Sequence, residues 1–241
     1  MSDIAPILDV RGLTAGYGDT VVVRDLSLRV QPGRCVVIIG PNGHGKSTLL
    51  RAVSGLMKPF AGEVWFDGER VDGEQAEAIA LRGMVHIPQG DGLFADMTVE
   101  DNLLMGSFPK ASWKDRQATI DRVYDLFPIV RDKREQRART LSGGERRLVG
   151  LGRGLMREGS ILLIDEPSLG LAPVMIDNVY GAIRSIVEAE RTVLLVEENF
   201  THIGDVADEV HVLETGSIVR SGSLRELLAD RTVVETYLGV L

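Results

Sequence analysis

The chain has 241 residues, 44% of them hydrophobic and 26% charged, with a formal net charge of −8. That length and apolar content suit one large domain or two small ones with a real core, and they exclude disorder as the default state. The acidic balance argues against a nucleic-acid surface, which needs clustered Lys and Arg, so no nucleic-acid partner is expected.

Apolar runs such as VVII from Val36 and ILLI from Ile161 fall well short of the ~20 residues of a membrane-spanning helix. No basic stretch followed by an apolar run opens the sequence, so no signal peptide is expected and the protein is placed in the cytoplasm. The single cysteine, Cys35, falls in a strand predicted to be buried and reads as a small core hydrophobe.

Residues 7–30 alternate apolar and polar with turn signals at 16–19 and 31–33, which predicts short antiparallel strands. Tyr17 sits in the first turn and reads as a packed aromatic. Next come CVVIIG and then GPNGHGKST, Gly40 to Thr48: a strand, a glycine-rich loop and a helix beginning near Lys46. The spacing of Gly40, Gly45, Lys46 and Ser47 fits the phosphate-loop pattern. Glycines let backbone N–H groups close on an anion, and a helix N-terminus adds its positive dipole end. Asn42, Gly43, His44, Gly45, Lys46, Ser47 and Thr48 therefore form the candidate nucleotide cradle. Lys46 supplies a mobile charge for the β- and γ-phosphates, and the Ser47 hydroxyl suits Mg2+. An ordinary glycine turn is the competing reading, and the flanking strand and helix favour the nucleotide.

A helix is predicted from Ser47 to Leu56, a hairpin over 62–71 turning at Asp67-Gly68, a helix over 75–82 and a strand over 84–88. From Gln89 to Thr140 amphipathic helices dominate, the clearest carrying Ile120, Val123, Tyr124 and Phe127. The mixed-charge run from Arg131 to Arg139 reads as a solvated helix face. LSGGE, Leu141 to Glu145, opens another helix. Ser142 with Glu145 forms a capping box, while Ser142, Gly143 and Gly144 leave an approachable helix N-terminus; the two readings are compatible. The strand SILLIDE ends on Asp165 and Glu166, at the carboxyl end where ligands of parallel sheets collect. Asp165 is thus placed near Mg2+, and Glu166 near the terminal phosphate as base for the attacking water. A strand TVLLV follows, ending at Glu197-Glu198, then a hairpin around 214–216 and a short helical tail to Leu241.

The phosphate loop, LSGGE, and ILLIDEP beginning 20 residues after Leu141 together resemble the ATP-binding subunit of ABC transporters. The texture of EPSLGLAP from Glu166, TVEDNLLMG from Thr98 and VEEN from Val196 is similar to the branch that takes up branched-chain amino acids; urea and amide uptake cassettes look much alike. The resemblance implies an α/β fold: a P-loop NTPase core with a mostly parallel sheet, an antiparallel β-subdomain and an inserted α-helical subdomain. Residues 1–241 would form one ABC ATP-binding domain, with the helical subdomain at approximately 90–145. It implies ATP as ligand with Mg2+, Tyr17 stacking on adenine, and Gln89 sensing Mg2+ and the attacking water. Ser142, Gly143 and Gly144 would contact the γ-phosphate bound by a second cassette, in a homo- or heterodimer. Transmembrane permease subunits would seat near Gly90 to Thr98, on the cytoplasmic face of the membrane, served indirectly by a solute-binding protein. A non-transport ABC ATPase is the rival reading.

Two positions depart from the family pattern. His44 occupies a loop position where small residues are commoner, and its side chain is expected to point outward. Glu198 stands where the family usually places a catalytic histidine that holds the γ-phosphate. An ionised carboxylate ~4 Å from a phosphate charge would cost about 4 kcal/mol at an effective dielectric of about 20. Glu198 is therefore turned away, protonated, or part of a weakened site, and His202, one helical turn on, could reach back in its place.

Overall fold

The computed structural model describes residues 5–90, 92–107, 113–157, 159–198 and 200–230. Its centre is a six-stranded sheet in the order β10-β9-β3-β8-β7-β6. The strands are β3 (Cys35–Ile39), β6 (Met84–Ile87), β7 (Ile161–Asp165), β8 (Thr192–Glu197), β9 (Glu209–Glu214) and β10 (Ser217–Gly222). β6, β7, β8, β3 and β9 run parallel, and β10 closes the edge antiparallel to β9. Every residue of β3, β7 and β8 is buried, which explains their unbroken apolar runs: a parallel sheet covered on both faces has no wet side.

Side chains alternate between two cores. Val37, Ile39, Leu162, Ile164, Val193 and Leu195 enter the larger one. Val36, Ile38, Ile161, Leu163, Leu194 and Val196 face the other. That second core is covered by helix α1 (Lys46–Val53) and by a four-stranded antiparallel sheet, β2-β1-β4-β5. Its strands are β1 (Leu8–Tyr17), β2 (Thr20–Val30), β4 (Ala61–Phe66) and β5 (Glu69–Arg70). β1 and β2 are long rather than short. Register shifts along the pair, with Gly12 and Asp25 at positive φ, interrupt the alternation that sequence reading takes as strand ends. Cys35 is fully buried, and burial pushes its thiol up to about 12, as a core hydrophobe requires.

The larger core is covered by helices. After α2 (Ala76–Leu81) come α3 (Val99–Leu104), α4 (Arg116–Leu126), α5 (Pro128–Asp132), α6 (Gly143–Leu155) and α7 (Pro173–Glu188), with α8 (Leu224–Ala229) near the end of the described chain. Ile120, Val123, Tyr124 and Phe127 are buried, as their helical spacing predicts. Gly152 of α6 lets Leu103 and Val123 approach to 3.0 Å of where a Cβ would stand. The basic run 131–139 is solvated but not a helix face: α5 stops at Asp132, and turn bonds Arg134 N to Arg131 O and Gln136 N to Lys133 O carry the chain onward. The predicted tail to Leu241 is helical over α8, and residues 231–241 lie outside the described residues.

All five parallel strands deliver their carboxyl ends to one edge. β3 leads into the glycine loop, β6 into Gln89, β7 ends on Asp165 before Glu166, and β8 ends on Glu197.

Candidate active site

The glycine loop is shaped by backbone requirements. A Cβ on Gly40 would stand 2.3 Å from the Leu213 carbonyl, so only glycine lets the loop leave β3 beside the β9–β10 hairpin. Gly43 and Gly45 take φ of 83° and 106°, the left-handed side that glycine visits without strain. α1 then starts at Lys46 with Gly45 in the capping position and no side chain on its first amides. A bare helix N-terminus at the end of a parallel strand is a ready anion cradle.

Lys46 is 3% exposed yet fully engaged. Its ammonium donates to the Gly40 carbonyl at 2.6 Å and the Pro41 carbonyl at 3.1 Å, and pairs with Glu166 Oε1 at 2.9 Å. Glu166 Oε2 accepts from Gln89 Nε2 at 2.9 Å. Alongside, Ser47 Oγ donates to Asp165 Oδ1 at 3.0 Å. Burial raises the Asp165 carboxyl, the hydrogen bond from Ser47 pulls it back, the neighbouring Glu166 charge raises it, and the Gln89 amide lowers it; the balance is upward. Residues 46, 47, 89, 165 and 166, far apart in sequence, thus form one hydrogen-bonded cluster.

The other sequence candidates fall around this cluster. Asn42 and Gly43 are exposed at the loop tip and Thr48 is buried in α1. His44 points away from the cradle, its Nδ1 accepting from the Thr215 amide at 3.2 Å. Tyr17 is about half exposed, and its hydroxyl accepts from Arg51 of α1 at 3.0 Å. Ser142 and Glu145 form the reciprocal capping box, and Glu145 pairs with Lys133 at 2.6 Å. Gly143 and Gly144 lie against Leu171 and Met175 of the 168–175 stretch; a Cβ on Gly144 would stand 2.3 Å from the Met175 methyl. Among the described residues no hydrogen bond joins Ser142, Gly143 or Gly144 to the phosphate loop.

Glu198 is exposed, and its carboxylate joins none of the contacts of the Lys46 cluster. His202 does not reach back, because residues 200–202 form turns rather than a helix; its ring packs on Tyr180 with centroids 5.4 Å apart. Two further features escaped sequence reading. Arg147 donates to the Gly90 carbonyl and Arg153 to Gly92 O at 2.9 Å, tying the segment after Gln89 to α6. Glu197, buried at the end of β8, accepts from Tyr180, Ser168 and Glu198. An acid closing the apolar run from Val193 to Val196 was the available signal.

The family model described as "ABC transporter" matches residues 23–169, more than half of the chain. The chain belongs to the ABC transporter family. Among similar ABC proteins, the high-affinity branched-chain amino acid transport ATP-binding protein BraG of Pseudomonas aeruginosa is 39% identical over 92% of this chain and 95% of its own. A probable branched-chain amino acid transport ATP-binding protein, LivF of Archaeoglobus fulgidus, is 31% identical over 95% and 97%. A crystal structure of an ATP-binding cassette of an ABC transporter in its ADP conformation superposes with a TM-score of 0.85 at 25% identity, covering 98% of this chain and 99% of that one. The cassette is accordingly a nucleotide-binding ATPase with the P-loop ABC fold.

Proposed function

We propose that this cassette hydrolyses ATP at an interface with a second cassette and thereby drives uptake of branched-chain amino acids through transmembrane permease subunits. The observation that carries the chemistry is the convergence of Lys46, Ser47, Gln89, Asp165 and Glu166 beside a bare helix N-terminus. The solute is supported by relatives named for branched-chain amino acid transport at 30–39% identity over 92–97% of this chain.

In this reading the loop amides and Lys46 hold the triphosphate, and Tyr17 offers its ring to adenine. Glu166 orients and deprotonates water, with Gln89 holding that carboxylate in place. The oxygen donors Ser47 and Asp165, with Gln89, fit Mg2+, which keeps several waters and takes few protein ligands. When bound, Mg2+ would neutralise phosphate charge; Ser47, Asp165 and Gln89 would hold it, and Glu166 would orient water.

Ser142 and Gly143 are exposed at the start of α6 and Gly144 is buried behind them against Met175; in this reading the three form the surface that would meet the γ-phosphate of a partner cassette. Nucleotide-dependent closure of two cassettes would be a population shift driven by contacts to that phosphate. The groove of about 450 Å³ lined by Ile87, Phe94, Met105, Arg153 and Arg157 is the proposed seat of a permease helix. No helix among the described residues is long and apolar enough to cross a membrane, so attachment to the cytoplasmic face would run through the permease. We take residues 1–241 as one ATP-binding domain with its helical subdomain at about 90–145.

The test is reconstitution with the permease subunits and solute-binding protein in vesicles, with ATP inside or outside. Uptake of labelled leucine, isoleucine or valine coupled to ATP hydrolysis, lost in Glu166→Gln, is the expected result. Hydrolysis coupled to a different solute would refute the substrate, and undiminished turnover of Glu166→Gln would refute the assignment of the base.

A further inference from the structure

Glu197 belongs to none of the roles above, yet it is 4% exposed and closely held. The Tyr180 hydroxyl donates to its Oε1 at 2.7 Å, the Ser168 amide to the same oxygen at 3.2 Å, and the Glu198 amide to Oε2 at 3.3 Å. The Ser168 hydroxyl is a further partner. The Tyr180 hydroxyl and the two amides all act as donors, and the two carboxylate oxygens of Glu197 accept from all three. Burial raises this carboxyl, and the hydrogen bonds from Tyr180, Ser168 and the Glu198 amide pull it back only in part, so the balance is upward. Its own main-chain carbonyl accepts from the Gly40 amide at 3.2 Å. One residue therefore touches the opening of the phosphate loop, the turn just beyond Glu166, and the loop after β8.

That turn requires holding. Glu166 has φ of 42°, a left-handed conformation that strains a residue with a Cβ and persists only where its surroundings impose it. Two backbone bonds flank it: the Glu166 amide to Val196 O at 3.0 Å, and the Leu169 amide to Glu166 O at 3.3 Å. Between them, the Ser168 amide turns to a side chain, the Glu197 carboxylate. Tyr180, buried on α7, fixes that carboxylate from the far side.

Building on the ATPase reading, we propose that Glu197 is a positioning residue for hydrolysis: its carboxylate clamps the turn at Ser168 and so sets the aim of Glu166, with Tyr180 holding the clamp. A carboxylate serving stability alone would not act selectively on turnover.

The test compares Glu197→Ala, Glu197→Gln and Tyr180→Phe, in the assembled transporter for kinetics and in the full-length chain for amide exchange. In Glu197→Ala, kcat for ATP should fall by about 10- to 100-fold, the scale of a misplaced catalytic group, with KM changed less than about threefold. Glu197→Gln keeps one acceptor oxygen for Tyr180 and Ser168 and should recover most of kcat; Tyr180→Phe should lose less than Glu197→Ala. Exchange at the Glu166 and Ser168 amides should quicken by about tenfold in Glu197→Ala while the amides of β7 keep their protection. Unchanged kcat in a folded Glu197→Ala chain, a matched rise in KM, or unchanged exchange at the Glu166 and Ser168 amides would each overturn the clamp. If Glu197→Ala does not fold, Tyr180→Phe decides: a lowered kcat with quickened exchange at the Ser168 amide supports the clamp, and a folded chain with both unchanged overturns it. Absence of hydrolysis in the unmodified transporter would instead overturn the ATPase reading, and the exchange result would still judge the clamp.

Discussion

Replacing Glu166 by Gln should do more than stop turnover: it should destabilise the protein and tighten ATP binding together. Lys46 and Glu166 are 3% and 5% exposed and 2.9 Å apart. At an effective dielectric of about 20 their attraction is about 6 kcal/mol before desolvation. Removing one member of a buried pair leaves the other uncompensated, which typically costs about 3–5 kcal/mol. A glutamine keeps the shape and some hydrogen bonding, so the low end, about 3 kcal/mol, is expected. For a chain of this size that is a fall in Tm of about 6–12 °C without nucleotide. The triphosphate supplies Lys46 with negative charge, so the variant recovers in saturating ATP what it lacks without it. Linkage then requires tighter binding: full recovery corresponds to about 100-fold in Kd, and half of it to about tenfold. Thermal unfolding with and without Mg-ATP, calorimetric titration, and phosphate release measure the three quantities. An unchanged Tm together with unchanged or weaker ATP affinity would show that the two side chains are not paired in solution, even if turnover stopped.

Lys46→Ala should abolish measurable ATP binding, since a charge-assisted phosphate contact goes with it; it should also lower Tm, and the double variant with Glu166→Gln should regain Tm without regaining binding, as unfolding and titration would show. Gly40→Ala should cost at least about 1–3 kcal/mol by denaturant unfolding, because its Cβ would stand 2.3 Å from the Leu213 carbonyl oxygen, which is backbone and cannot rotate aside. Glu198→Ala should change ATP Kd by less than about threefold by titration, because the carboxylate is exposed and outside the Lys46 cluster; one facing the γ-phosphate would, on removal, tighten binding by about 4 kcal/mol per phosphate charge. His86 gives a pH signature. Its ring is buried against Ser54, and burial, aided by Arg51, lowers it from the ordinary 6.5 to about 4. Between those values the unfolded chain takes up a proton that the folded chain refuses, so stability falls as pH drops from about 6.5 towards 4, by up to about 3 kcal/mol. His86→Gln should flatten that acid limb in pH-dependent unfolding.

What the sequence made legible and what it concealed divide along a physical line. Contiguous patterns were readable because local backbone physics writes them. The glycines of the phosphate loop, the Ser142–Glu145 box and the apolar spacing of 120, 123, 124 and 127 each constrain a few neighbouring residues. The doubly covered strands were readable for the same reason, since a strand buried on both faces needs an unbroken apolar run. Boundaries inside β1 and β2 were not, because bulges at Gly12 and Asp25 look like strand ends when only alternation is followed. Position 202 misled because a helix was assumed after β8, whereas residues 200–202 form turns and the ring settles on Tyr180.

The hardest feature to foresee was how the cluster satisfies itself. Lys46 carries the family motif, yet nothing local says that its ammonium rests on Glu166, 120 residues away. That pairing follows from β3 and β7 each lying beside β8, so that their ends open onto the same edge. The same topology puts Glu197 between the two ends, its carbonyl on Gly40 and its carboxylate on Ser168. A strand read in isolation ends on an acid for no visible reason. Seated between the phosphate loop and the turn of the proposed base, that acid reaches the first with its main-chain carbonyl and the second with its carboxylate. Strand order, more than any motif, therefore determines which acidic residue touches phosphate chemistry and which holds the residue that does.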